Sequence, residues 1–484
     1  MDIIDRDLQS IQEIRCIVRK AKEAQKKVRD MSQEEIDKIV KAMADASLEH
    51  GERLAKLAWK ETGFGLWEDK ILKNMFASKN VYEHIKDMKT VGIINEDKKN
   101  KIVDVATPVG VIAALIPSTN PTSTTIFKAL VSIKAGNAVV FSPHPNAKNC
   151  IIETAKVLVH AASVAGAPEG LIGYSTTPTL EGTKELMCHK DVSLILATGG
   201  EAMVKAAYSS GTPAIGVGPG NGPAFIEKSA DIPLSVKRIL DSKTFDNGVI
   251  CASEQSIVVE RSIKEEVISE LKKQGAYFLS EEESERLSQF ILRANGTMNP
   301  KIVGKSVKKI AYMAKLDIPD DTRVLISEQF TVSRDNPYSR EKLAPILAFY
   351  CEDDWEKGCE RCIELLRNEG IGHTLIIHSQ NEDIIKEFAL KKPVSRILVN
   401  TPGAIGGIGA STNLVPSLTL GCGAVGGSAT SDNVGPMNLI NIRRMAYGTR
   451  EIEDLRNNES NQKKLEIPDE LMELIINRVI EKLK

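Results

Sequence analysis

The chain has 484 residues, long enough for roughly two or three domains, and 42% hydrophobic and 26% charged residues are ordinary for a globular protein. Its 63 basic and 65 acidic residues leave a net charge of −2, which offers nucleic acid no electrostatic footprint, and 8 cysteines are too few for a disulfide scaffold. Met1 to Arg6 lacks the basic start and apolar run of a secretory signal. No stretch approaches the ~20 apolar residues of a membrane span. A cytoplasmic protein with reduced thiols and no membrane partner is expected.

Residues 1 to 90 are strongly charged, with Ile11, Ile14, Val18 and Ile36, Ile39, Val40 at helical spacing. From Val103 the texture changes. Gly110 to Ile116 is a continuous apolar run, the mark of a strand buried on both faces. Thr124 to Ala135 reads as a helix ended by Gly136, and Ala138 to Phe141 as a strand. Ala147 to Ala165 is a helix stopped by Gly166, with a strand around Leu171 and Ile172. Val192 to Ala197 is a further strand, and Glu201 to Ser209 a helix stopped by Gly211. This alternation predicts an α/β protein with a parallel, doubly wound sheet. A second α/β unit runs from about Ser229 to Val425. Gly403 to Gly435 reads as ordered loops that approach a ligand, a flexible linker being the alternative. Glu451 to Glu466 reads as a polar linker, and Pro468 to Lys484 as an amphipathic helix.

The chemistry centres on Cys251, in Thr244-Phe245-Asp246-Asn247-Gly248-Val249-Ile250-Cys251. A turn followed by an apolar pair can hold a thiol at a bend facing a cleft, where nearby N–H groups promote its ionisation. The plain alternative is a buried structural thiol. Asn120 lies in the Pro-bounded turn Ile116-Pro117-Ser118-Thr119-Asn120-Pro121, as an amide able to stabilise an oxyanion. Thr198, Gly199 and Gly200 end a strand and open a helix, a place for pyrophosphate or ribose, unless the glycines serve a steric role alone. They miss the usual G-x-G-x-x-G fingerprint. Gly216 to Pro223, with Gly218 and Gly220, is either a domain connector or a wall of a substrate tunnel. His144, beside Ser142 at a strand end, and His373 could each be an ordinary hydrogen-bonded histidine, and Glu341 a solvated helix-end charge. Cys359 and Cys362 have C-x-x-C spacing but no second pair at zinc-ligand distance. No metal is expected. A nucleophilic thiol, an oxyanion amide and a dinucleotide turn imply oxidation of an aldehyde through a thioester.

Over residues 8 to 450 the chain resembles the aldehyde dehydrogenase superfamily, nearest its CoA-acylating branch. That branch holds the aldehyde half of bifunctional aldehyde–alcohol dehydrogenases and the CoA-dependent succinate-semialdehyde dehydrogenases. The matching runs are Lys89 to Ile94, Pro108 to Lys128, Phe141 to Pro145, Ala197 to Gly200 with Met203 to Tyr208, Ile226 to Asp231, and Ser242 to Gln255. The resemblance implies that Cys251 is the nucleophile, Asn120 the oxyanion amide, and Gly199 and Gly200 the cofactor turn. Glu341 would hold the nicotinamide ribose, with Ser142, His144 and Thr198 also at the cofactor. Gly218, Gly220 and His373 would line the substrate and CoA tunnel. It further implies NAD, with NADP left open, and coenzyme A as co-substrate. The expected division is a nucleotide-binding domain (1–96 and 110–228), a catalytic domain (229–426), an oligomerisation arm (97–109 and 427–448), a linker (449–466) and a tail helix (467–484). A homodimer or homotetramer is expected.

One departure from the wider superfamily is informative. Hydrolytic members carry a water-activating glutamate where this chain has Val217, and no acid lies between Thr212 and Ile226. A thioester not attacked by water waits for a thiol, which favours CoA. Acetaldehyde or propionaldehyde is the first expectation, succinic semialdehyde the second. A hydrolytic aldehyde dehydrogenase and a non-catalytic scaffold are the remaining alternatives. In the tail, Leu471, Ile475, Val479 and Met472, Ile476, Ile480 form a stripe. It resembles the encapsulation peptides of bacterial microcompartment enzymes, with docking on the enzyme itself as the other reading. A shell protein or other cargo would then be its partner, and a microcompartment interior its location.

Overall fold

In a computed structural model, residues 4–293, 295–456 and 469–483 are described. Strands β1 (Gly92–Asp97) and β2 (Ile102–Pro108) join β15 (Ile440–Ala446) in a three-stranded sheet, ordered β1-β2-β15. This sheet belongs to a small unit made of Ile93–Ala106 and Ile442–Lys484, and everything else forms one large unit. Within the small unit the helix Asp469–Lys482 has no buried residue. The polar linker expected at 449–466 lies mostly outside the described residues. Among the described residues no helix is long and apolar enough to cross a membrane.

The large unit holds two parallel sheets. The first is ordered β5-β4-β3-β6-β7, from β3 (Val111–Ile116), β4 (Ala138–Pro143), β5 (Ile172–Tyr174), β6 (Val192–Thr198) and β7 (Ala214–Val217). Every residue of β3 and β4 is buried, as their unbroken apolar runs require. The intervening helices Pro121–Lys134 and Lys148–Val164 stop where Gly136 (φ 73°) and Gly166 (φ 98°) turn left-handed. The chain leaves β3 for β4 on one side and returns to β6 on the other, so β3 and β6 flank the switch point of the sheet. There Lys128 Nζ donates to Leu115 O and Leu196 O, 2.8 Å each, tying the two strands together.

The second sheet is ordered β10-β11-β12-β9-β8-β13-β14, from β8 (Gly222–Ile226), β9 (Glu254–Glu260), β10 (Ala276–Phe278), β11 (Val324–Glu328), β12 (Ile346–Glu352), β13 (Gly372–His378) and β14 (Val394–Val399). All its pairings are parallel. That has a direct consequence. The register sets Gly222 against Glu254 and Ala224 against Ile376, so β8, β9 and β13 begin side by side. The residues just before or at those starts are Gly220, Cys251 and His373. Residues far apart in sequence therefore meet at one edge. The doubly wound α/β reading holds.

Candidate active site

Cys251 follows a turn that few residue types could make. Asp246, Asn247 and Gly248 all take positive φ (48°, 54° and 75°), a region that Asn, Asp and Gly enter at least cost. Asn247 Nδ2 donates to Gly304 O at 3.0 Å and steadies the bend. Val249 and Ile250 are then buried, and Cys251 emerges half-buried just before β9.

Cys251 Sγ lies 3.2 Å from Nε2 of the fully buried His373. His373 Nδ1 is 2.9 Å from Thr374 Oγ1. With the proton on Nδ1, donated to that hydroxyl, Nε2 accepts from the thiol. Thr374 Oγ1 also accepts from Arg396 Nε at 3.3 Å, and Arg396 Nη2 donates to His373 O (3.0 Å) and Gly421 O (2.7 Å). A neutral hydroxyl backed by a buried cation thus orients the imidazole.

The electrostatics follow from burial. Removal from water pushes the Cys251 thiol up to about 12, with Glu341 and Cys422 acting in the same direction and Arg396 opposing. Burial, reinforced by Arg396, pulls His373 down to about 3. The resting pair is neutral thiol and neutral imidazole. Burial thus opposes the ionisation expected from nearby N–H groups.

Gly220 is fixed by this packing, because a Cβ there would fall 2.0 Å from Cys251 O. Its N–H donates to Glu341 Oε1 at 2.9 Å. Burial, then the neighbouring Glu369, pushes the Glu341 carboxyl up to about 8. At Gly218 a Cβ would meet nothing within 4 Å. Asn120 is half-buried, with Nδ2 3.4 Å from Val249 O in the thiol's own turn and Oδ1 accepting from Lys73.

The other expected residues line the C-terminal edge of the first sheet. Ser142 is buried at the end of β4, its Oγ 3.0 Å from Thr183 Oγ1. His144 is exposed beyond it, and Nδ1 accepts from Asn146 N–H at 3.1 Å. Thr198 Oγ1 is enclosed yet has no partner in the protein. A Cβ at Gly200 would meet nothing within 4 Å, and one at Gly199 only Met203 at 3.7 Å. The chain's own packing requires neither glycine. Contacts therefore link Cys251, Asn120, His373, Gly220 and Glu341, while Ser142, His144, Thr198, Gly199 and Gly200 lie along the end of the first sheet, from which Asn120 also emerges.

A cavity of about 380 Å³ lies between the helix Trp67–Met75 and residues 402–410, walled by Leu72, Met75, Phe76, Phe245, Ile405 and Ile408. Lys73 also reaches this wall. Gly403 holds the 402–410 segment close, since its N–H donates to Glu254 Oε1 at 2.7 Å and a Cβ would fall 2.7 Å from Ala252 O. Cys359 and Cys362 are buried elsewhere, in the helix Trp355–Asn368. Among the described residues no group of His, Cys, Asp and Glu side chains could hold a metal ion. Thr374, Arg396 and Lys73 did not stand out in the sequence, and Asp246 did so only as part of the turn before Cys251. Lys70 and Lys73 look like a solvated helix face, and Arg396 sits in an unremarkable strand.

A neutral resting thiol has a measurable signature. Alkylation of Cys251 by iodoacetamide should climb about tenfold per pH unit from about pH 6 to about pH 9 with no plateau. A rate already level below about pH 7 would mean a preformed thiolate and contradict the electrostatics above.

Residues 5–286 match the model of the aldehyde dehydrogenase family. The bifunctional aldehyde-alcohol dehydrogenase AdhE of Escherichia coli K12 is 45% identical over 442 residues, 90% of this chain and 50% of the relative. The chain thus spans about half the length of the first curated relatives it matches. A probable aldehyde dehydrogenase from Listeria monocytogenes EGD-e is 65% identical, with a TM-score of 0.92 over 93% of this chain and 100% of that one. An acetylating aldehyde dehydrogenase from Geobacillus thermoglucosidasius is 54% identical, with a TM-score of 0.91 over 93% and 99%. Further off is a propionaldehyde dehydrogenase of the Clostridium phytofermentans fucose utilisation microcompartment (29% identical, TM-score 0.83, over 90% and 97%). Another, from Rhodopseudomonas palustris, was solved with bound CoA and an acylated cysteine (27% identical, TM-score 0.82, over 90% and 97%). Fold, family model and relatives agree: this chain is a member of the aldehyde dehydrogenase family.

Proposed function

We propose that the chain is a CoA-acylating aldehyde dehydrogenase, turning a short-chain aldehyde, CoA and NAD+ into acyl-CoA and NADH. The observation that carries this reading is the 3.2 Å contact between Cys251 Sγ and His373 Nε2. It lies beside a turn, Gly218 to Asn221, that supplies backbone and no acid.

His373 Nε2 takes the thiol proton as the sulfur bonds to the aldehyde carbon. The Asn120 Nδ2 amide and the Cys251 N–H receive the oxyanion that forms. The cofactor's place is supported by the orphaned Thr198 Oγ1 and by the open space before Gly199 and Gly200, where a helix begins. NAD+, when bound, supplies the hydride acceptor. The chain is then left carrying an acyl group on Cys251, and a CoA thiol displaces it by exchange of one thioester for another.

Two features favour CoA over water as acceptor. No carboxylate occupies Thr212 to Ile226. Glu341, the acid nearest the turn, is tied to Gly220 N–H, and a carboxyl pushed up to about 8 is mostly protonated near pH 7. The cavity walls favour a short aliphatic aldehyde, acetaldehyde or propionaldehyde, over succinic semialdehyde. They are apolar apart from Lys73, which pairs with Asp246, and from Asn80, Asp241 and Ser242.

The tail adds a second reading, resting on the exposure of its whole apolar stripe, with Leu471 at 52%, Ile475 at 48% and Val479 at 52%. Such a helix fits an apolar groove on a microcompartment shell protein, and a relative comes from such a compartment.

NADH formation over a panel of aldehydes, with and without CoA, tests the main reading. Sustained turnover should require CoA, Cys251→Ala should abolish it, and Asn120→Ala should slow it about 10²–10³-fold. Undiminished turnover without CoA would move the protein to the hydrolytic class, and activity in Cys251→Ala would refute the mechanism. For the tail, removing residues 467–484 should leave turnover intact and end co-purification with shells; unchanged partitioning would dismiss that role.

A further inference from the structure

Asn120 stands at the N-cap of the helix Pro121–Lys134 but makes no cap bond. An asparagine there ordinarily turns its side-chain oxygen onto the N–H groups of the first helical turn. Here Oδ1 accepts instead from the Lys73 ammonium, while Nδ2 lies 3.3 Å from Thr119 Oγ1 and 3.4 Å from Val249 O, in the turn that carries Cys251.

Lys73 belongs to a buried charge cluster that ties the helix Trp67–Met75 to the turn before Cys251. Its side chain is 2% exposed and pairs with Asp246, which is fully buried. The same carboxylate receives Lys70 Nζ at 3.0 Å and Leu66 N–H at 2.7 Å. Asp246 N–H donates to Asp69 Oδ2 at 2.7 Å, and the residue holds its left-handed φ of 48°. Gly65 makes room for it, since a Cβ there would fall 1.7 Å from Asp246 Oδ1. Burying three charges costs desolvation that their attraction rarely repays as stability. A function is the better explanation of why they are there.

The two ends of an asparagine amide have nearly the same shape but opposite hydrogen-bonding character. An ammonium has three donors and no acceptor, so it tolerates the oxygen end and rejects the NH₂ end. We infer that Lys73, held by Asp246, is a positioning residue that fixes the Asn120 amide with its N–H end toward the oxyanion. The inference rests on the reading of Asn120 as an oxyanion donor. In the flipped orientation Oδ1 would face the developing negative charge and oppose it. The Lys73 charge also polarises the amide and strengthens its donation. Burial draws Lys73 down to about 8 against the pull of Asp246, so it stays mostly protonated near pH 7.

A double-mutant cycle separates this role from a merely structural one. Lys73→Met removes the donor and leaves Asp246 balanced by Lys70. The readout is the single-turnover burst of NADH on mixing enzyme, NAD+ and propionaldehyde, with NAD+ affinity and the melting transition as controls. Lys73→Met should slow the burst on the order of tenfold in the otherwise unchanged enzyme, the scale of one charge-assisted hydrogen bond, with both controls nearly unmoved. In the Asn120→Ala background the same change should cost nothing further. Lys73→Arg, also donor-only, should keep most of the rate. Lys73→Gln, which both donates and accepts and so selects neither orientation, should be slow, and it serves if the methionine variant fails to fold. An equal cost in both backgrounds, or no cost in the otherwise unchanged enzyme, would overturn the positioning role while leaving Asn120 in place. A full-speed Asn120→Ala would instead overturn the oxyanion reading beneath it.

Discussion

A half-buried sulfur and a fully buried imidazole nitrogen 3.2 Å apart are the contact around which the large unit is arranged. Parallel pairing makes it. Because β8, β9 and β13 start in register, the segments leading into them arrive at one edge whatever their separation in sequence. Glycine then lets them come close. Gly220 lies against the Cys251 carbonyl, and at Gly372, just before His373, a Cβ would fall 2.0 Å from Cys422 O. The same closeness excludes water and keeps the thiol and imidazole neutral. Geometry and electrostatics here have one cause.

Several charged groups around the thiol are held out of water. Lys243 Nζ donates to Gln255 Oε1 at 3.0 Å, and Gln255 Oε1 also accepts from Lys342 N–H at 3.0 Å, which anchors the segment that carries Glu341. Burial pulls Lys243 down to about 7 and pushes Glu254 up to about 7. In so dry a setting each hydrogen bond counts for more than it would in water.

Much of the fold was legible because the first sheet is buried on both faces. β3 and β4 announce themselves as unbroken apolar runs, and the Gly stops at 136, 166 and 211 mark the helix ends. Cys251 was legible through its turn, because Asp246, Asn247 and Gly248 are the residue types a left-handed run demands. Its pairing with His373 was not, since 122 positions separate them and only strand register joins them. Lys73 was hidden for a different reason. In sequence it is one more lysine in a charged amphipathic helix, and its burial depends on a carboxylate 173 positions away. The state of the thiol was not legible, because local N–H groups are visible in sequence whereas desolvation is a property of the assembled site.

On the proposed reading, a neutral thiol beside a neutral base, an amide donor and a turn free of acid would form a thioester and protect it. The most direct test is the mass of the Cys251 peptide after the enzyme meets aldehyde and NAD+ without CoA. The account predicts a single acyl group on Cys251 that persists in buffer and is removed on adding CoA. An unmodified Cys251, or an acyl group lost to water as quickly as to CoA, would contradict it.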